Sequence, residues 1–549
     1  MPRIGWGGRL RDRRKGRILL ISAKALVTGA NRFVPYQEPL PRLRVSMSGI
    51  SPDRGSETDA RTRVSGDSVA CDVLIVGAGP VGLFLANECA RRGLRWRLIE
   101  ARATQSVHSK ALAIFPRTLE MFDMAGIVQP FLDAANRVTW VAVIARGRPL
   151  ARVRFAPDNT PYPFVAMVPQ DVTEKILAES LARRGGRVEY ETKLVSAVER
   201  DGRVRAILER DGRATEVAAE FLVGSDGAHS MVRHLLDLRF AGQQYHDSFL
   251  LADIETNDAL PADEMQLCPS ELGPLAIFPM SATRRRIVAT VAKPENDSPS
   301  LELVRELLAQ RAPTGICALS LKWSSYFRIH HRQVDRLRVG RMFVAGDAAH
   351  IHSPFGGQGM NTGLQDVWNL AWKIDLAARG RASERLLESY TIERRPVIKE
   401  VIATTDFITR AMGTANKPAQ LMRDLVLPVV SRIGAFQRRF VGRLSELDIC
   451  YCGSPLVEGD GQRYFDGALR DARGRFVLLT GAGCDPSTVE AAERLAASYP
   501  DILECRAGAS RGIVLVRPDG YVAYTETTPR GPASVATAQA VLNRSLVER

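Results

Sequence analysis

Residues 341–361 read RMFVAGDAAHIHSPFGGQGMN, which sets an acid, a proline and a run of glycines at fixed offsets between an apolar strand and an amphipathic helix. Asp347 is an acceptor-only carboxylate suited to sugar-alcohol hydroxyls, while Gly346, Gly356, Gly357 and Gly359 let bare backbone N–H groups approach a ligand. Met360 and Asn361 open the helix, whose positive dipole end favours a ring that gains negative charge on reduction. A flavin has that chemistry. The alternative is ordinary turn chemistry, with Asp347 as a helix cap.

Two further segments bear on the choice. The apolar strand 72–76 runs into Gly77-Ala78-Gly79-Pro80-Val81-Gly82 and then a helical pattern that stops at Gly93. In a dinucleotide fingerprint Gly77 makes the tight turn, Gly79 admits a pyrophosphate, Gly82 lets helix and strand pack closely, and Pro80 suits the first helical turn. Glu100 closes the next strand about 20 residues on, where an acid bonds a ribose hydroxyl and repels a 2′-phosphate. The third segment, FLVGSDGAHSMVR at 221–233, is again a strand, a turn and a helix start.

GxGxxG, DGxxSxVR and GDAAHxxxPxGGQGxN, in that order, resemble the three signatures of the flavin-dependent aromatic hydroxylases, the group of para-hydroxybenzoate, phenol, chlorophenol and 3-hydroxyphenylpropionate hydroxylases. The likeness spans about residues 69–401 and takes in LLESYTIERRP at 386–396. It implies FAD, with Glu100 on the adenosine ribose, Asp347 on the ribityl chain, and Asp226 serving both FAD and an incoming NADPH or NADH. Gln170 matches a glutamine near the flavin chain; its alternative is a helix cap. Lys110-Ala111 stands where the family often has Arg-Ala beside the pyrophosphate, keeping the charge but losing the bidentate fork; its alternative is a solvated surface charge. Ser353 replaces the first of two prolines, and Pro354 matches the second, beside the flavin ring.

The implied reaction is hydroxylation of a phenolic or polyketide-type ring with NAD(P)H and O2 through a flavin C4a-hydroperoxide, the cofactor carrying the chemistry. Candidates for acid–base work in the inserted region are Tyr245, His246, Tyr326, His330, His331 and Arg332, beside Pro354; each has a structural or surface alternative. His350 reads as a turn-stabilising side chain. Other readings are a flavin reductase or halogenase on the same scaffold, or a flavin-binding interaction protein without catalysis. Against halogenation, W-x-W-x-I-P is missing, Trp368 and Trp372 being the only close tryptophans; against lost catalysis, Asp226, Asp347 and Pro354 are intact.

At 549 residues the chain has room for two or three domains. The expected class is α/β: a Rossmann-like FAD-binding domain with an inserted β-sheet substrate domain, followed by a thioredoxin-like α/β domain. The expected bounds are a basic, disordered extension at 1–68, the FAD-binding unit at 69–405 with its substrate region at about 137–168 and 240–338, a helical segment and linker at 406–455, and the last unit at 456–549. The tail reads strand, helix, strand, hairpin about Asp519-Gly520, then helix, without C-x-x-C. Thr480-Gly-Ala-Gly483 is not a second fingerprint, because proline holds position 486.

The net charge is +14, but residues 1–46 hold 11 Lys/Arg against 2 Asp/Glu, which leaves 14 − 9 = +5 for the rest. A nucleic-acid partner is therefore not expected. The 8 cysteines show no metal-ligand spacing, so no metal is expected, Cys450 and Cys452 read as incidental, and reduced thiols in the cytoplasm are the default. No window of 18 apolar residues predicts a membrane span. The remaining expected partners are a small aromatic substrate and O2, with a homodimer left open.

Overall fold

A computed structural model describes residues 71–547 apart from 106–108, 258–259, 292–293, 295–297, 415, 471 and 473; the side chains of 244–247 and 329–330 are also not described. The extension expected at 1–68 lies outside the described residues.

The fingerprint strand Cys71–Val76 is buried and β-rich in sequence, and it pairs in parallel with Trp96–Ile99 on one side and Arg213–Gly224 on the other. Strand Met342–Val344 adds in parallel to Arg213–Gly224, so three segments far apart in sequence end at the same edge of one seven-stranded sheet. The C-terminal ends of parallel strands are where such sheets hold ligands. Helix Pro80–Arg91 starts on its proline and buries Leu83, Phe84, Leu85 and Ala86 against the sheet. Helix Gly359–Ala378 packs beside it, with Phe84 stacked on Trp368 at 5.9 Å.

The inserted regions form an eight-stranded sheet whose long central strands, Phe240–Thr256 and Ala318–Val334, run antiparallel. Alternation gives this sheet two apolar faces. Phe249 and Leu251 join the cluster holding Phe355 of the 341–361 loop, whereas Leu250, Ala252 and Ile254 face helix Leu301–Arg311 through Val304, Leu307 and Leu308.

Three helices follow the loop helix: Glu384–Gly413, which runs through Pro396, then Lys417–Val430 and Gly434–Ser445. The last unit is a four-stranded sheet in the order Leu503–Arg511, Phe476–Ala482, Ile513–Val516, Val522–Glu526. Its first two strands are parallel and the others antiparallel, with helices Pro486–Ser498 and Pro532–Asn543 alongside. A buried ion network joins this unit to the rest. Arg517 donates to both oxygens of Glu393, at 2.6 and 2.8 Å, and pairs with Asp519, while Lys373 reaches Glu393 at 2.7 Å.

Cys450 and Cys452 are joined by a disulfide with Cα atoms 5.6 Å apart, in place of the reduced thiols expected there. That Cα separation lies within the range a disulfide spans. The other six cysteines are free thiols.

Candidate active site

The first motif forms as its glycines require. Gly77 has φ +98°, and a Cβ there would lie 2.5 Å from the carbonyl oxygen of Ser225; one on Gly82 would lie 1.9 Å from the carbonyl oxygen of Gly77. A Cβ on Gly79 would meet nothing within 4 Å. Gly77 and Gly82 thus serve protein packing, while Gly79 presents bare backbone to open space at the N-terminus of helix Pro80–Arg91. Glu100 accepts from the N–H of Ala78 at 2.9 Å and from Arg102 through its backbone and guanidinium. Burial alone would raise its carboxyl, but these hydrogen bonds outweigh that and hold it below the usual range.

The second motif abuts the first. Ser225 donates to the carbonyls of Val76 and Gly77, both at 3.0 Å. The Asp226 carboxylate accepts from the Ser230 hydroxyl and from the N–H groups of Met231 and Val232 at 2.7 and 3.2 Å, so its side chain secures the short helix Met231–Leu235. Arg233 donates to the carbonyl of Ala348 at 3.1 Å, tying this motif to the third.

In the third motif, Gly346 has φ +57° and Gly357 has φ +64°. Asp347 makes no hydrogen bond among the described residues. Its surface is open although protein crowds it on every side, and that burial pushes its carboxyl above the usual range, against the charges of His350 and Lys110. With Gly79 open to the same edge of the sheet, these residues fit a dinucleotide with a polyhydroxyl chain. Pro354 starts a single turn, Pro354–Gly356, and Met360 packs against the main core. Asn361 is fully engaged: it accepts from the N–H of Phe115 at 3.0 Å and donates to the carbonyls of Ala113 and Gly357.

Gln170 opens helix Gln170–Arg183, and its Oε1 accepts from the N–H of Ala111 at 3.0 Å. Lys110 is exposed; its carbonyl and that of Ala111 accept from Arg286, both at 3.0 Å. Arg286 is itself held by Asp253 through a bidentate pair at 2.7 and 2.8 Å. Sequence reasoning missed this clamp, although Asp253 interrupts an apolar strand and an acid there calls for a buried partner. It also missed Asp366, whose Oδ2 lies 2.7 Å from Nε2 of His350 and accepts from the N–H of Gly346, while Oδ1 accepts from Arg394 at 2.8 Å.

The catalytic candidates divide. Tyr326 sits opposite Leu250 and packs on the helix face of the sheet, away from Phe355, which corrects its expected place in the pocket. Strand alternation puts Phe327 on the loop side instead. His331 lies across from Gln243, and burial lowers its imidazole below the usual range. Arg332 pairs across the strands with Gly242 and Ile351. Tyr245, His246 and His330 fall outside the described side chains. On the loop side, Phe249 meets Phe327 and Phe355, each with ring centroids 5.7 Å apart, and Met265, Phe278, Met280 and Trp323 complete an aromatic-rich wall.

A family model described as "FAD binding domain" matches residues 70–405. Among curated proteins, the chain is 37% identical over 419 residues to a 6-methylpretetramide 4-monooxygenase of Streptomyces rimosus, covering 74% of each. It is 31% identical to a rifampicin monooxygenase of Streptomyces venezuelae, covering 85% of this chain and 99% of that one. Among solved structures, OxyS anhydrotetracycline hydroxylase from Streptomyces rimosus superposes with a TM-score of 0.71 at 29% identity, covering 86% of this chain and 99% of the other. The expected family and FAD are borne out.

Proposed function

The chain belongs to the FAD-binding family of aromatic-ring monooxygenases, and on that premise we propose that it hydroxylates a phenolic or polyketide-type aromatic substrate, with NAD(P)H as transient hydride donor and O2 as oxygen source. The observation that carries the substrate class is the set of Phe249, Phe327, Phe355 and Trp323, which joins the inserted sheet to the flavin loop in one aromatic, largely buried cluster. Such a cluster suits planar rings and excludes water.

Bound FAD would supply hydride acceptance and oxygen activation. Glu100 would hold the adenosine ribose, Gly79 and the helix start at Pro80 the pyrophosphate, and Asp347 the ribityl hydroxyls, which would replace the hydrogen bonds its carboxylate lacks. The N–H groups from Gly357 to Asn361 would face the pyrimidine edge of the ring and favour its anionic form. Asp366 and Arg394 act behind the loop, fixing His350 and Gly346 and hence Asp347 between them. Arg286 and Gln170 fix the path of Lys110-Ala111, which lets Lys110 lend its charge to the phosphates.

The strand order of the last unit supports a thioredoxin-like reading. Lacking C-x-x-C, it serves as a packing module, clamped to the FAD-binding unit through Arg517 and Glu393.

Purification and a visible spectrum test the cofactor, and a screen of phenols and polycyclic enols for stimulated NAD(P)H oxidation tests the substrate class. A flavin-loaded protein whose NADH and NADPH oxidation responds to no such ring would overturn the proposal.

A further inference from the structure

Helix Lys417–Val430 presents an apolar stripe outward. Its outward side carries Leu421, Met422, Leu425, Val426 and Val429, exposed by 61, 40, 62, 38 and 64%, while its inward side carries Gln420, Arg423 and Asp424. At 100° per residue the five apolar positions fall within one continuous stripe. Ile433 and Phe436, exposed by 50 and 37%, prolong it onto helix Gly434–Ser445, and Phe407 adds 59% from the preceding helix. An apolar stripe normally faces a core, so this one faces a partner.

The charges around it restrict what that partner is. Residues 407–443 hold seven Lys/Arg, of which Arg410 pairs with Asp406 at 3.0 Å, Arg423 with Asp424 at 2.9 Å and Arg443 with Glu400 at 2.9 Å. Lys417 at the helix start, Arg432 just past its end, and Arg438 and Arg439 beyond are exposed and make no ion pair among the described residues. Two copies meeting through this face would bring Lys417, Arg432, Arg438 and Arg439 of each together, while the nearby acids Asp406, Asp424 and Glu400 already pair with Arg410, Arg423 and Arg443, which disfavours a homodimer here. An apolar stripe bracketed by unpaired cations suits a lipid surface instead. The side chains enter the acyl boundary while the arginines meet acidic headgroups.

We propose that the face formed by Leu421, Leu425, Val429, Ile433 and Phe436 docks the enzyme peripherally on a membrane leaflet rich in anionic lipid. No helix among the described residues is long and apolar enough to cross a membrane, so the attachment is interfacial. The inner side of helix Gly434–Ser445 places Val441, Phe440 and Leu444 against the Phe249 and Phe355 cluster. The docked face thus lies directly over that apolar cluster.

The test is co-sedimentation of the flavin-loaded full chain with phosphatidylcholine vesicles, with or without phosphatidylglycerol. Binding should be about tenfold or more stronger to the anionic vesicles, weaken with salt, and fall to background in Leu425→Glu/Val429→Glu. Arg438→Glu/Arg439→Glu should lose the anionic preference. These side chains point outward, so both variants keep the flavin spectrum and the melting temperature. No binding to either vesicle, or binding unchanged by Leu425→Glu/Val429→Glu, would overturn the proposal. A concentration-dependent dimer that the same variant dissolves would overturn it in favour of a second copy. Loss of hydroxylation with vesicle binding intact would strike only the proposed function.

Discussion

His350 and Asp366 meet at 2.7 Å, Nε2 to Oδ2, with both side chains buried, and Arg394 closes the other side of the same carboxylate at 2.8 Å. One acid on the loop helix thereby locks the loop from behind to helix Glu384–Gly413, and its position decides where Asp347 stands.

Asp366→Asn leaves Arg394 buried without its counter-charge, so unfolding in denaturant should show a loss of about 3–5 kcal/mol. Burial alone would raise the Asp366 carboxyl, but His350 and Arg394 outweigh it and hold it below the usual range. A lowered folded value means that the stabilisation is whole above about pH 4, where the unfolded carboxylate is ionised, and is lost as pH falls through the folded value. The gap between wild type and Asp366→Asn should therefore narrow in acid.

Gly79→Ala and Gly82→Ala should part company. The added methyl finds open space at Gly79 and a carbonyl oxygen 1.9 Å away at Gly82. Gly79→Ala should keep the melting temperature of the flavin-free protein and lose FAD affinity in fluorescence titration, whereas Gly82→Ala should fail to fold. Wild-type affinity in Gly79→Ala would mean that the pyrophosphate lies elsewhere.

Those glycines, the strand–helix order around them, the 341–361 loop and the order of the last unit were all legible, because each rests on local backbone chemistry. The Asp366–Arg394 pair was not: 28 residues separate its members, and no periodic pattern links two polar residues on different helices. The segment that holds helix Lys417–Val430 was legible as helical, but not the outward direction of its apolar stripe, since such a stripe has the same period whichever way it faces. Tyr326 and Phe327 show the same limit for strands, where alternation defines two faces without saying which one meets the cofactor.

Asp347→Asn should weaken flavin binding and raise the stability of the flavin-free protein at neutral pH. Burial raises this carboxyl, so the folded state favours the neutral form. The associated stability is whole in acid and is lost as pH rises through the folded value. Parallel melts of both proteins after flavin removal, at pH 4 and pH 7, check both halves: the variant should gain only at the higher pH.

Glu446 is a second buried carboxyl held above its usual range. It is buried with φ +61°, accepts from Gln365 at 2.5 Å, and burial pushes its carboxyl up to about 8. Its contribution is whole below about pH 4.5, the unfolded value, and is lost as pH climbs to about 8. Glu446→Gln, which keeps the acceptor for Gln365, should overtake the wild type across that window by a few kcal/mol, on the order expected for such a shift. Parallel unfolding curves at every pH would show that Glu446 titrates normally.

Transfer of an oxygen atom from O2 to an aromatic ring is the activity proposed for this chain. Incubating the purified protein with NADPH or NADH, a phenolic or polycyclic enol and 18O2, then weighing the product, tests it directly. The product should be heavier than the substrate by one 18O atom, with none incorporated from labelled water, and Asp347→Ala should abolish the gain. A heavy atom arriving from water, or nicotinamide oxidised with no mass added to any ring, would contradict it.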